Sequence, residues 1–267
     1  MEFRVVGRTV FAGTGGRVFD PARPVVVFVH GAGMDHTVWP LQARWFAHHG
    51  HGVLAVDLPG HGRSEGPALE TVEEMGEFLI ALAGAARAKT FSLIGHSMGA
   101  LAALAASSMA PGRVGRLALL GVSSPMRVHP DLLAAAAAGQ AVARELVVSW
   151  GHGSAAHLGG NRAPGLWMLG GGLRLLEAGP AGVLGIDLLA CNSHAGAEAA
   201  AARLACPTLV LCGSADLMTP PKAAAKLASL VKDSRVVTLS GAGHMMMVER
   251  PDATLDALKS FFEAERG

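Results

Sequence analysis

The chain contains no tyrosine, and aromatic residues make up only 5% of its 267 positions. No phenolic hydroxyl is therefore available to any site, and chemistry must come from Ser, Thr, His, Cys or charged side chains. Cysteine is scarce as well: Cys191, Cys206 and Cys212 form an odd set without metal-ligand spacing. That pattern argues against a disulfide scaffold and fits buried free thiols in a reducing compartment. Neither sign of charge dominates, with 22 Lys+Arg against 21 Asp+Glu and a formal net charge of +1. Nucleic acid and anionic membrane surfaces are poor partners for such a chain, and a small molecule is the expected one. No segment reaches the ~18 uninterrupted apolar residues of a membrane span. Met1 to Val6 forms neither a basic leader nor an apolar stretch, so the expected location is the cytoplasm.

What the chain has instead is small and apolar. Hydrophobic residues make up 51% of it and glycines number 35, which predicts helices packed closely through small side chains. Continuous runs rich in Val, Ile and Leu recur at Val25 to Val29, Val53 to Val56, Phe91 to Ile94, Leu117 to Leu120, Thr208 to Leu211 and Arg235 to Leu239. Runs of this kind suit strands buried on both faces. Helical patterns lie between them, at Val38 to His49, Val72 to Arg87, Met98 to Ala110, Pro220 to Val231 and Pro251 to Glu263. Thr71 and Glu74 have capping-box spacing, and Thr219 before Pro220 reads as an N-cap. The alternation predicts an α/β fold with a mostly parallel sheet and helices on both faces. It breaks between 123 and 203, where Ala-rich and Leu-rich helical patterns replace strands. The expected organisation is a core of residues 1–122 and 204–267 with a helical cap inserted at 123–203. Within the cap, glycines at 159–165 and 170–172 flank Leu166 to Leu169, a composition that eases loop movement.

Ser97 lies in Gly95-His96-Ser97-Met98-Gly99, between an apolar strand pattern and an Ala-rich helix pattern. A serine on such a strand-turn-helix must take a strained backbone, which lifts its hydroxyl clear of the sheet edge. The following helix start offers N–H groups to developing negative charge. A serine needs a base and an orienting group. His244, in the small-residue loop Ser240 to His244, and Asp216, in Gly213-Ser214-Ala215-Asp216, both follow strands and so reach the same sheet edge. Asp233 precedes a strand and Asp252 opens the last helix, while the loop from Gly121 to Pro125 has no carboxylate.

Four motifs together give a resemblance: His30-Gly31-Ala32-Gly33, Asp57-Leu58-Pro59-Gly60-His61-Gly62-Arg63-Ser64, the serine elbow, and the Asp216 and His244 loops. The chain resembles members of the α/β-hydrolase fold superfamily over nearly its whole length outside the cap. The resemblance implies catalytic roles for Ser97, Asp216 and His244, with the backbone N–H groups of Ala32 and Met98 as oxyanion donors; Gly33 is the rival for the second donor. A dinucleotide site fails at its third glycine, which is His36 here, and His48, His49 and His51 lack a carboxylate at ligand spacing, so neither cofactor nor metal is expected. Serine at the elbow also excludes the aspartate-based chemistry of haloalkane dehalogenases and epoxide hydrolases.

The expected reaction is hydrolysis of carboxylic esters, small to medium and largely apolar, with His36, Met126, Trp150, Trp167, Met168 and Met245 as candidate pocket walls. The alternative is carbon-carbon bond hydrolysis or enol-lactone opening by the same residues. That substrate would carry a carboxylate, for which Arg127, Arg144, Arg162 and Arg174 are the cations available between Ser123 and Glu177. A non-catalytic small-molecule receptor is the reading from another class.

Overall fold

The computed structural model describes residues 1–159 and 166–264. Its eight strands are β1 (Glu2–Val5), β2 (Arg8–Gly13), β3 (Val25–Val29), β4 (Gly52–Val56), β5 (Phe91–His96), β6 (Val114–Leu120), β7 (Thr208–Gly213) and β8 (Ser234–Leu239). They form one sheet in the order β1-β2-β4-β3-β5-β6-β7-β8. The β1–β2 and β2–β4 pairs are antiparallel, and every pair from β4 to β8 is parallel. Every residue of β3, β4 and β7 is buried, which is why those strands read as unbroken apolar runs.

The hairpin of β1 and β2 was not among the expected strands. Its turn is made by Val6 and Gly7, with φ of +48° and +78°. Two successive positive φ values match the twist of a tight hairpin. A β-branched residue in the first position carries none of the usual turn signal.

In the first half of the chain the helices are α1 (Pro40–His48), α2 (Val72–Ala85) and α3 (Met98–Met109). Between β6 and β7 lie α4 (Pro130–Ala137), α5 (Ala141–Gly151), α6 (Ser154–His157), α7 (Met168–Ala178), α8 (Val183–Ser193) and α9 (Ala197–Ala202), with no strand among the described residues. The last three are α10 (Pro221–Ala228), α11 (Met246–Glu249) and α12 (Pro251–Glu263). Among the described residues no helix is long and apolar enough to cross a membrane. Of the glycines expected to ease cap movement, Gly160 and Gly165 lie outside the described residues, as does Arg162 between them, whereas Gly170, Gly171 and Gly172 are inside α7. A side chain on Gly170 would collide with the Trp167 ring, so this glycine serves packing.

α2 begins with the capping box foreseen at Thr71 and Glu74. The helix packs on α3, whose residues from Met98 to Ser107 are all buried. Small side chains make that possible: a Cβ on Gly76 would sit 3.0 Å from Ala106 N and 3.1 Å from Ala105 Cβ. Gly76→Val should lower stability by about 1–3 kcal/mol, because overpacking outweighs the gain in helix propensity. A urea midpoint equal to or above that of the wild type would contradict this packing.

Candidate active site

Ser97 stands between β5 and α3 with φ +54° and ψ −118°. A non-glycine residue there costs on the order of 1–3 kcal/mol and persists only when its surroundings enforce it. Two glycines let those surroundings close in. A Cβ on Gly95 would collide with Gly99 O, and one on Gly99 with the carbonyl oxygens of Val29 and His30. The turn is fixed from the other side by Ser97 N–H donating to Leu120 O at 2.9 Å. The first N–H groups of α3, those of Met98 and Gly99, have no intrahelical acceptor and point out of the helix start.

His244 is carried by the loop after β8 and Asp216 by the loop after β7. Asp216 Oδ2 lies 2.8 Å from His244 Nδ1, and both side chains are buried. The carboxylate also accepts the backbone N–H groups of Met218 and Thr219 at 2.8 and 2.9 Å and the Thr219 hydroxyl at 2.6 Å. Burial alone would raise its pKa. The His244 charge and the hydrogen bonds from His244 and Thr219 more than offset that, holding the group down at about 2. With Nδ1 committed to Asp216, Nε2 is the nitrogen left to face the cavity. Gly121 makes room for the ring, since a Cβ there would be 2.9 Å from His244 Nδ1. Ser97 and His244 line the same cavity without a direct hydrogen bond between them among the described residues. Unliganded nucleophile–base pairs are often this loose and tighten around substrate.

Thr219 was expected to cap a helix beginning at Pro220. The helix begins one residue later, at Pro221, whose missing N–H needs no partner. That frees the Thr219 hydroxyl for Asp216 and, at 3.2 Å, His244 Nδ1. His96 is a second residue that the motifs did not single out. It is fully buried, its Nε2 is 3.0 Å from His244 O, and the two rings are 4.7 Å apart. Burial, then the nearby His244 charge, push its pKa down to about 3, so it stays neutral and donates Nε2–H to the His244 carbonyl. Glu249 ties the same loop to the start of α6, accepting the N–H of Gly243 at 3.0 Å and of Gly153 at 2.8 Å.

Ala32 follows β3 and lines the cavity with Ser97. Its N–H has no protein acceptor among the described residues, whereas Gly33 N–H donates to Asp187 Oδ2 at 2.7 Å. Of the two rival donors, Gly33 N–H is thus engaged and Ala32 N–H is free among the described residues.

The cavity measures about 500 Å³. Met126, Leu132, Trp150, Leu188, Leu217 and Met218 give it apolar walls, and Arg127 and His129 stand at an exposed part of the lining. A recess of about 40 Å³ shares Ala32, Ser97 and His244 and adds Met245 and His152. Met126 and Trp150 thus line the cavity and Met245 the recess, whereas His36, Trp167 and Met168 line neither space. His36 is drawn aside by Asp57, 2.8 Å from its Nδ1, and packs on Phe11. Trp167 is 70% exposed beside Gly170, and Met168 is buried at the start of α7. Asp35, His36 and Asp57 bring three potential ligand atoms within 4.8 Å of one another. Their lone pairs are engaged locally, however: Asp57 accepts His36 N–H and Arg63 N–H, and Asp35 accepts Thr37 N–H.

The three cysteines are buried and free. Burial raises each thiol, Cys212 to about 11, which makes them poor nucleophiles. Thr219→Val should raise the Asp216 pKa by about one to two units, since a hydrogen bond to a charged group contributes about 1.5–3 kcal/mol. Stability from Asp216 ionisation is complete above its ordinary value of 3.8 and is lost as pH falls through about 2. The variant should lose it at higher pH. Carboxyl titration by NMR gives the test, and an unmoved Asp216 would contradict the role given to Thr219.

The sequence profile described as Alpha/beta hydrolase family matches residues 26–257. The (E)-2-((N-methylformamido)methylene)succinate hydrolase of Acinetobacter baylyi is 25% identical over 251 residues, covering 89% of this chain and 90% of its own. The pimeloyl-[acyl-carrier protein] methyl ester esterase of Methylococcus capsulatus is 41% identical over 100 residues, 36% of each chain. Among solved structures, the enol-lactonase from Burkholderia xenovorans superposes with a TM-score of 0.85 at 22% identity, covering 99% of this chain and all of its own. Fold, motif order and family profile agree: the chain belongs to the alpha/beta hydrolase family.

Proposed function

We propose that this chain is a serine hydrolase that forms an acyl-enzyme on Ser97 and cleaves small to medium, largely apolar carboxylic esters. The observation that carries the reading is the buried Asp216–His244 pair at 2.8 Å, beside a serine held at a strained turn in a mostly apolar cavity. Ser97 Oγ attacks the ester carbonyl while its proton passes to His244 Nε2. The N–H groups of Ala32 and Met98 hold the oxyanion, each such donor typically contributing ~2.7–4 kcal/mol to the transition state. The alcohol leaves with the proton from His244. Water then attacks the acyl carbon, gives its proton to His244, and the acid departs as Ser97 regains a proton. Asp216 keeps the imidazole in the required tautomer and stabilises its charged form. In this reading residues 123–203 act as a cap whose α4, α5 and α8 supply cavity wall, and three free thiols suit a cytoplasmic setting.

One observation favours a second reading, in which the same residues open an enol-lactone or break a carbon-carbon bond in a substrate bearing a carboxylate. Arg127 lines the cavity, with a guanidinium whose Nη1 donates to Asn192 O at 3.1 Å. Arg144 lines a different cavity, and Arg174 pairs with Glu177 at 2.6 Å. The Acinetobacter relative is named for a succinate, a substrate class with carboxylates to bind.

Two p-nitrophenyl esters of equal chain length, the hexanoate and the adipate hemiester, separate the readings. The first reading predicts faster turnover of the hexanoate, and Ser97→Ala lowering kcat by roughly 10⁴- to 10⁶-fold. Faster turnover of the hemiester, reduced selectively in Arg127→Gln, would favour the second. Wild-type rates in Ser97→Ala would contradict both.

A further inference from the structure

A second buried acid-imidazole pair lies outside the machinery described so far. Asp187, on α8, and His61, in the loop after β4, are both buried, with Asp187 Oδ2 2.8 Å from His61 Nε2. His61 Nδ1 is 3.0 Å from Pro59 O, so both ring nitrogens face acceptors. An imidazolium satisfies both contacts by donating twice. Burial opposes that charge, but the Asp187 carboxylate and the hydrogen bonds raise the His61 pKa above its ordinary value. The neighbouring ring is in the opposite state. His30, 4.8 Å from His61, accepts Leu58 N–H at Nε2 and so donates Nδ1–H to Gly31 O at 2.9 Å.

These bonds converge on two consecutive peptides. His30 grips the Gly31–Ala32 peptide through its carbonyl, and that peptide also bears the Ala32 N–H. Asp187 Oδ2 grips the next one, accepting Gly33 N–H at 2.7 Å across 154 residues of sequence. α7 and α8 close over the same turn: a Cβ on Gly33 would lie 3.0 Å from Leu176 Cδ2 and 3.0 Å from Leu184 Cδ1. Asp187 Oδ1, meanwhile, is buried without a hydrogen-bond partner among the described residues. A half-satisfied buried carboxylate is a costly way to seat a helix, since an apolar residue would do so more cheaply. Its presence here points to a task for the charge.

We propose that Asp187 is a positioning residue for the oxyanion-binding turn: it clamps the Ala32–Gly33 peptide so that Ala32 N–H faces Ser97, and through His61 it makes this alignment depend on α8 being seated. The proposal rests on the serine-hydrolase reading above. It assigns the helical segment a part in catalysis besides walling the cavity, because an unseated α8 releases the turn that stabilises the oxyanion.

The test compares Asp187→Ala and Asp187→Asn with the wild type on p-nitrophenyl butyrate, with folding monitored by circular dichroism. The alanine variant should lose about tenfold to hundredfold in kcat with KM within about threefold, as expected when a transition-state contact is misaligned. The asparagine variant, whose amide oxygen can still accept Gly33 N–H, should recover most of that loss. Should the alanine variant not fold, ¹⁵N-glycine NMR of the wild type and Asp187→Asn decides. A Gly33 amide proton well downfield in the wild type, and still downfield though less so in the variant, where a neutral acceptor replaces the carboxylate, supports the clamp. A Gly33 amide proton at an unbonded position in the wild type overturns it. A folded alanine variant with unchanged kcat, or with a raised KM alone, also overturns the proposal while leaving the hydrolase reading intact. A wild type that turns over no ester removes the reading beneath it.

Discussion

The rest of the site depends on how closely α3 approaches the sheet. Gly99 lies against the carbonyls of Val29 and His30, and Gly95 against the start of the helix, at separations that leave no space for a side chain. This contact forces Ser97 into its positive-φ conformation and sets the start of α3 beside the turn after β3. The helix that bears the serine therefore also fixes the distance to Ala32. Burial on every side of α3 supplies the apolar free energy that holds the strain.

Around this contact, buried histidines with different hydrogen-bond partners take on different work. His96, pressed against His244 and paired with a backbone carbonyl, is pushed neutral and serves as a brace. His30, with one donor and one acceptor for partners, is likewise lowered, to about 4. Burial dominates that shift, with the charge of His61 acting in the same direction. His61 faces two acceptors and is raised. His244 has a carboxylate on one nitrogen and open cavity beyond the other. Burial pushes the His96, His30 and His61 rings towards neutrality, and only at His61 do the carboxylate and the second acceptor outweigh it.

Much of this arrangement was readable in the sequence, and the parts that were not have physical causes. Strands buried on both faces leave continuous apolar runs, so β3, β4 and β7 stood out. β8 carries a similar Val-rich run but lies at the sheet edge and is mostly exposed, contrary to the expectation of burial on both faces. β1 and β2 form an edge hairpin whose turn opens on Val6, which carries no turn signal. Ser97, Asp216 and His244 could be found because each follows a strand within a short motif, and Asp216 and His244 do meet. Thr219 was misread because capping and carboxylate binding use the same hydroxyl, and only the position of Pro221 distinguishes them. His36 was placed by its strand-end loop, and Trp167 and Met168 by residue type alone. Asp57 claims the first, Gly170 receives the second, and the third turns inward at the start of α7. Asp187 could not be read at all, since its partners His61 and Gly33 are distant in sequence and meet it only once α8 has packed.

The central claim is that Ser97 is an activated nucleophile. Treating the folded protein at neutral pH with a fluorophosphonate, then mapping the adduct by peptide mass spectrometry, tests it most directly. The account predicts one adduct per chain, on Ser97, that forms far more slowly when His244 is replaced by Ala. No adduct on the folded wild type, or one on a different residue, would contradict it.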